Sequence, residues 1–472
     1  MIRISPSWRP FAAALVAVSL AAISPAAPHG RDPEQKAPDA AAKPLTAYAW
    51  KSKNDLRYVW WLPKDYDAAK PRNLSVICHG TGLDYRWGLW NNKPGIFRPD
   101  DVVVSVDGPS PDGETRLFLG EKKDADAFAA FLKEMRESFA VERVFLYGHS
   151  QGGFFVVYFA GEHPDLVSGV VAHASGAWNW SKTRGDVQKV AIAFLHGTSD
   201  PVVPYRQSPG SRDAYAKAGF DRLHLRRLDR YNHWPNAVRA TETLAWCEGM
   251  TTTSPEEALR CAVAILQPKR PDEHQWTTLV GFSGARDVLR RFEKKGPVPF
   301  ADVPEAVAAK AAELAKKIED AGAEHVAALS KQVASKKDLT LDGEPWLGHL
   351  VPLREDFRGV ESVEAYLEKI GFDAARTSQQ RAADALVGAW YDGRDQGKVY
   401  EAIVENLGKA FLFDGYPPEL AEKMKGWHAK EDELRIPATA RKKYADFEAW
   451  QRGWEEGSKQ YAAIWKSWKP GP

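Results

Sequence analysis

The sequence predicts an α/β protein with a doubly wound, mainly parallel sheet, followed by a mostly α-helical C-terminal region. Three observations carry this. Short apolar, β-branched runs alternate with segments of helical periodicity across residues 45–268, as in a parallel sheet covered on both faces. One strand–helix junction reads Gly148-His149-Ser150-Gln151-Gly152, a tight G-x-S-x-G turn. From about residue 270 the composition shifts to Ala, Lys and Glu, with apolar residues near a 3.6 period.

The elements follow in order. Arg3 and Arg9 precede an apolar run over 11–20, then small residues continue to Ala27 with a Ser24-Pro25-Ala26 site. This predicts a secretory signal peptide over 1–27, with an uncleaved anchor as the alternative. Residues 28–44, rich in Pro, Ala and charge, read as a flexible linker. A β-hairpin is expected from 47–51 and 56–62, turned by Ser52-Lys53-Asn54-Asp55. Strands are predicted at 74–78 and 101–106, then a helix with Phe128, Leu132, Met135 and Phe139 on one face. The 144–147 strand leads into the glycine-rich turn and a helix over 153–161. Further strands are expected at 167–174, 190–195 and 223–228, with a helix near 212–218.

Strand, G-x-S-x-G turn and helix together make the context of a nucleophile elbow, in which the serine hydroxyl stands at the C-terminal edge of a sheet. A serine is a poor nucleophile until a base takes its proton, and the base needs an orienting acid. In a doubly wound hydrolase these follow in the order serine, acid, histidine. Asp200 lies in His196-Gly197-Thr198-Ser199-Asp200-Pro201, just past the 190–195 strand. His233 lies in Tyr231-Asn232-His233-Trp234-Pro235, just past the 223–228 strand. Open α/β sheets place functional groups at such strand ends, so Ser150, Asp200 and His233 are the expected catalytic residues. A turn-former before Pro201 and a surface loop histidine are the competing readings of Asp200 and His233. His149, His173 and His196 read as structural, by adjacency to the nucleophile or by their place in the order.

Acyl transfer also needs donors aimed at the developing oxyanion. One is the N–H of the residue after the nucleophile, Gln151. The other is assigned to the Thr81 N–H, in His79-Gly80-Thr81-Gly82 after the expected third strand, with Gly82 as the fallback. Trp178, Trp180 and Trp234 are candidate substrate-binding residues that would stack on an aromatic acyl group or a sugar; ordinary packing is the alternative.

The run Arg57-Tyr58-Val59-Trp60-Trp61-Leu62-Pro63, His79-Gly80, the Gly-His-Ser-Gln-Gly-Gly elbow and the acid loop through Pro204 resemble secreted α/β-hydrolase esterases over about residues 46–250. The nearest likeness is to polyhydroxybutyrate-depolymerase-like and feruloyl-esterase-like enzymes. The resemblance implies an α/β-hydrolase fold and a Ser150–His233–Asp200 triad. Leu83-Asp84-Tyr85-Arg86-Trp87 departs from it, which implies a differently shaped acyl pocket.

At 472 residues the chain has room for two domains, expected as a catalytic domain over 45–268 and a helical region of unassigned role over 269–472. The net charge of +1, or −1 without Arg3 and Arg9, offers no basic excess for nucleic acid. Beyond the leader there is no apolar stretch long enough to span a bilayer. No paired Cys or His spacing suggests a metal site, and the expected chemistry needs no cofactor. Of the three cysteines, Cys78 falls on a predicted strand. Cys247 and Cys261 flank a Ser254-Pro255-Glu256-Glu257 capping box, and read either as a bridge or as two buried thiols.

In the C-terminal region Asp302-Val303-Pro304-Glu305 starts a long helix carrying Val307, Ala311, Leu314, Ile318, Val326, Leu329 and Val333. Further helices are expected at 363–370, 378–390, 399–411 and 439–468, while Gly281-Phe282-Ser283-Gly284 reads as a loop. The expected function is that of an exported, periplasmic or extracellular, serine hydrolase cleaving small-molecule or polymer-attached carboxylic esters. A prolyl-oligopeptidase-type peptidase and a non-catalytic binding protein on the same scaffold are the alternatives.

Overall fold

The computed structural model describes residues 33–113, 115–177, 189–198, 200, 202–228, 231–268, 280–333, 353–370 and 442. Among these, nine strands form one sheet: β1 (Glu34–Gln35), β2 (Tyr48–Lys51), β3 (Arg57–Trp61), β4 (Arg72–Cys78), β5 (Val102–Val106), β8 (Val141–His149), β9 (Gly169–His173), β10 (Ala191–Gly197) and β11 (Leu223–Leu228). Their order is β1-β2-β3-β5-β4-β8-β9-β10-β11. β3 runs antiparallel to both β2 and β5. The β5–β4–β8–β9–β10 pairings are all parallel. Two further strands, β6 (Ser110–Asp112) and β7 (Thr115–Leu117), make a separate hairpin absent from the expected elements, although Pro111-Asp112-Gly113 supplies a turn signal and Gly113 adopts φ 59° there.

The chain divides into two compact units, one from Met1–Leu195, Gln207–Leu225 and His233–Thr251, the other from His196–Arg206, Arg226–Asn232 and Thr252–Pro472. In the first unit the interior strands are buried on both faces. All five residues of β5, Val-Val-Val-Ser-Val, are buried, as are all five of β9. β-Branched side chains fill such a doubly covered sheet well.

Among the described residues, five helices belong to this unit: α1 (Trp87–Asn91), α2 (Lys122–Ser138), α3 (Gln151–Glu162), α4 (Gln207–Lys217) and α5 (Ala237–Thr251). α2 buries Phe128, Phe131, Leu132 and Met135, an apolar stripe at helical spacing. Buried Asp124 in its first turn accepts the Ser110 hydroxyl at 2.7 Å and the Leu119 N–H at 2.9 Å, which anchors the β6–β7 hairpin. α3 is apolar nearly all round and buries ten of its twelve residues, as a central helix must.

The second unit contains α6 (Pro255–Leu266), α7 (Phe282–Leu289), a 3-10 turn (Arg290–Phe292), α8 (Glu305–Val333) and α9 (Glu361–Lys369). Ser254 caps α6 by accepting the Glu257 N–H at 3.2 Å, with Pro255 in the first turn. α8 buries Ala311, Leu314, Ile318 and Leu329. Phe282 stacks on Phe357 with centroids 4.6 Å apart.

Several expectations change. The linker expected over 28–44 is not free from residue 33 onward: Glu34 and Gln35 pair with Tyr48 and Ala49, and the Trp60 indole N–H donates to the Lys36 carbonyl at 3.0 Å. Alternating Pro and charge disguised this edge strand. Gly281 to Gly284 is not a loop but the start of α7, because Gly281 stands as N-cap and Phe282, Ala285, Val288 and Leu289 form a buried stripe. All three cysteines are buried thiols outside any disulfide, so Cys247 and Cys261 make no bridge. Cys247 faces the sheet, its thiol 3.8 Å from the Val170 carbonyl oxygen and 3.9 Å from that of Ala191. The signal segment over 1–27, and the helices expected at 378–390, 399–411 and 439–468, lie outside the described residues, apart from Lys442. No described helix is long and apolar enough to cross a membrane.

Candidate active site

The parallel strands place the site. From β4 the chain goes to β5 on one side and then returns to β8 on the other, so the strand order reverses between β4 and β8. The crevice beyond the carboxyl ends of such a pair is where open α/β sheets bind ligands. The register sets Cys78 beside Val106 and Gly148, and His149 beside His173. The residues just past this line are therefore Asp107, His79 and Ser150.

β8 ends at His149, α3 begins at Gln151, and Ser150 joins them at φ 52° and ψ −118°. A non-glycine residue in this conformation stores strain of about 1–3 kcal/mol. The turn is held closed from several sides. The Ser150 N–H donates to the His173 carbonyl at 2.9 Å, and the Gly152 N–H to the His79 carbonyl at 3.1 Å. A Cβ on Gly148 would lie 2.2 Å from the Gly152 carbonyl oxygen. One on Gly152 would lie 2.4 and 2.5 Å from the carbonyl oxygens of Cys78 and His79. Both glycines of the motif are thus required by close approach.

The His79-Gly80-Thr81 loop lies directly against this turn, since a Cβ on Gly80 would come within 3.2 Å of the Ser150 Cβ. The Gly80 carbonyl accepts from the His79 Nδ1–H at 2.8 Å and from the Leu83 N–H at 3.3 Å. A trans peptide directs its C=O and N–H to opposite sides. Fixing the Gly80 oxygen therefore fixes the direction of the Thr81 N–H. The Gln151 N–H is the first of α3 and has no intrahelical acceptor. Its side chain turns elsewhere, with Oε1 accepting the Phe118 N–H at 3.3 Å.

Behind this loop the Asp107 carboxylate is buried with polar groups around it. His79 Nε2 sits 3.7 Å from Asp107 Oδ1, an electrostatic contact too long for a hydrogen bond. Asp107 also accepts the Tyr85 N–H at 2.9 Å and the Arg57 Nε–H at 2.6 Å. Burial pushes the Asp107 carboxyl up, but His79, Arg57 and the Tyr85 N–H outweigh it and hold the group below its ordinary value. Trp87, from the stretch that departs from the esterase resemblance, is core: it stacks on His149 at 5.4 Å and on Tyr147 at 6.3 Å.

His233 belongs to the same unit as Ser150, and its carbonyl accepts the His149 Nε2–H at 2.7 Å. The two imidazole centroids are 4.8 Å apart. The loop runs on into α5, where Asn236 Oδ1 accepts the Arg239 N–H at 3.0 Å and caps the helix. Trp234 is 48 % exposed. Trp178 and Trp180 lie outside the described residues.

Asp200 belongs to the second unit, where its buried carboxylate is tightly held. Oδ1 accepts the Val202 and Val203 N–H groups at 2.8 and 2.9 Å. Oδ2 faces His196 Nε2 at 3.1 Å, and that Nε2–H also reaches the Val203 carbonyl at 3.0 Å. Asp200 is thus an oriented acceptor.

Three histidines take roles that the sequence did not assign them: His79 holds the Gly80 carbonyl, His149 the His233 carbonyl, and His196 the Asp200 carboxylate. The only signal in the sequence is position, each standing at or just beyond the end of a strand that leads to a functional loop. Among the described residues no group of three or more His, Cys, Asp or Glu side chains is placed to hold a metal ion.

A family model described as alpha/beta hydrolase fold matches residues 107–193, from Asp107 through the elbow into β10. The chain has an α/β-hydrolase fold. No curated protein matches it. Among solved structures it is similar to a thermostable esterase, at 19 % identity over 39 % of this chain and 54 % of that one, with a TM-score of 0.32. It thus spans about half the length of that esterase. A carboxylesterase from Mesorhizobium loti gives 17 % identity over 42 % of this chain and 98 % of that one, with a TM-score of 0.36. A ferulic acid esterase from Anaeromyces mucronatus gives 16 %, 45 %, 92 % and 0.33 for the same quantities.

Proposed function

We propose that the protein is an exported serine hydrolase that cleaves carboxylic esters through an acyl-enzyme. The observation that carries this reading is the strained backbone of Ser150 at the end of β8, with the Gly80–Thr81 loop against it at the sheet's switch point.

In this mechanism His233 takes the Ser150 hydroxyl proton as the oxygen attacks the ester carbonyl. The C–O double bond becomes a single bond to an oxyanion, held by the N–H groups of Gln151 and Thr81. Collapse expels the alcohol, which takes its proton from His233. Water, deprotonated by His233, then attacks the acyl-enzyme, releases the acid and regenerates Ser150. Asp200 orients the imidazole and balances its charge. Its own carboxylate is held by two backbone N–H groups and His196, which supports that role. The exposed Trp234, with Trp178 and Trp180, would form an aromatic rim suited to a feruloyl-like or sugar-linked ester. The resemblance of residues 46–250 to secreted esterases favours an ester over a peptide, and the 1–27 segment supports export.

Labelling by a fluorophosphonate, alongside Ser150→Ala, His233→Ala and Asp200→Ala, tests the reading. Strong wild-type labelling that is lost in the first two variants and weakened in the third is expected, followed by turnover on a panel of aryl, acetyl and feruloyl esters. A folded wild type that does not label overturns it.

A further inference from the structure

We infer that His149, the residue before the nucleophile, is a positioning residue that sets the distance between serine and base by clamping the backbone of His233. This rests on the serine-hydrolase reading and adds to it the part that fixes its geometry.

His149 is the last residue of β8, so its backbone is fixed by pairing with His173 on β9, and the next residue is Ser150. Its ring cannot swing freely. Trp87 stacks on one side at 5.4 Å and 24°, and the His173 ring meets it edge-on at 5.6 Å. The imidazole so held donates its Nε2–H to the His233 carbonyl at 2.7 Å. A carbonyl oxygen only accepts, so the tautomer or charge state present must carry the Nε2 hydrogen.

The consequence is mechanical. His233 lies in a loop beyond β11, and Trp234 beside it is about half exposed. The Asn236 cap secures the loop where it enters α5. The His149 bond secures it at the base residue itself, on the main chain. The bond engages the main chain and not the His233 imidazole, while it holds the residue's backbone in a set position relative to the elbow. Rate in such a site is steep in distance, since a misplacement of about 1 Å costs on the order of 100-fold. One residue of the nucleophile's own strand therefore holds the base in register with the nucleophile.

The donor and the ring can be separated. His149→Phe keeps an aromatic ring against Trp87 and removes the donor. His149→Gln supplies an amide N–H at similar reach and removes the ring. For wild type and both variants the second-order rate of fluorophosphonate labelling is measured, with kcat and KM for p-nitrophenyl acetate and a thermal melt. The expected result is labelling slowed by roughly 10- to 100-fold in H149F, with kcat falling and KM steady, and most of the rate restored in H149Q. If H149F does not fold, His149→Met serves as the donorless variant.

H149F labelling at the wild-type rate would overturn the inference and leave the serine-hydrolase reading intact. H149Q labelling as slowly as H149F would overturn it too, since ring packing and not the donor would then be responsible. A wild type that does not label removes the serine-hydrolase reading and this inference with it.

Discussion

The backbone N–H of Ser150 donates to the carbonyl oxygen of His173 at 2.9 Å, and this bond ties a strained residue to the neighbouring strand. At φ 52° Ser150 occupies a conformation costly to any residue with a Cβ. Ser150→Ala retains that cost, whereas Ser150→Gly relieves it at an entropic cost of about 0.5–1 kcal/mol. We expect both variants to be inactive, and S150G to be more stable than S150A by about 0.5–2 kcal/mol in urea denaturation. An S150A variant as stable as S150G, or more stable, would show that any strain in the elbow does not exceed the entropic cost of glycine.

Two glycines give opposite outcomes for one substitution. Gly152→Ala forces a Cβ to within 2.4–2.5 Å of two fixed backbone carbonyl oxygens. It should destabilise by about 1–3 kcal/mol and abolish phosphonate labelling as the elbow shifts. At Gly210, within α4, an added methyl group would meet nothing within 4 Å, and the residue carries no left-handed φ. Gly210→Ala should stabilise by roughly 0.5–1 kcal/mol and leave labelling unchanged. Thermal melts beside labelling gels separate the two.

Asp107 predicts a pH dependence. Its carboxyl lies below the ordinary value of 3.8, with burial opposed by His79, Arg57 and the Tyr85 N–H. A group lowered on folding contributes stability that is present above its unfolded-state value and is lost as the pH falls through the folded-state value. Wild-type unfolding free energy should therefore fall as the pH drops below about 4. Asp107→Asn should be less stable at neutral pH and show a flatter acid limb in urea titrations. An acid limb of unchanged slope would remove Asp107 from that role.

The three thiols should be silent in the native state. Burial raises Cys78 and Cys247 far above the ordinary thiol range, and Cys261 is buried as well. A disulfide-exchange reagent at mildly alkaline pH should find almost no reactive thiol until denaturant is added, then all three without prior reduction. Only one thiol after denaturation would reveal the bridge that the structure lacks.

Much of the fold was legible along the chain. The strands at 74–78, 101–106 and 190–195 could be read because strands buried on both faces become nearly continuous apolar runs, whereas 223–228, Leu-His-Leu-Arg-Arg-Leu, carries no such run and its polar residues are buried only by the fold. The elbow was legible because Gly148 and Gly152 encode a backbone approach that no other residue permits. Less visible were elements stabilised by partners distant in sequence. β1 is two polar residues that become a strand only through Tyr48 and Ala49. The β6–β7 hairpin is secured by Asp124 from the following helix. Gly281 looked like a turn because its capping role depends on the buried stripe after it.

The candidate site divides in the same way. The sequence by itself determined the residue types, their chain order and the local backbone of the elbow, because these follow from short-range sterics and from the periodicity of buried strands. Tertiary structure decided what His79, His149 and His196 do. Whether a histidine beside a strand end fills space or holds a working loop depends on the neighbouring strand's register, and register is set by packing across the whole sheet. It likewise decided that Cys247 turns into the sheet, since which way a helix faces depends on the surface it covers.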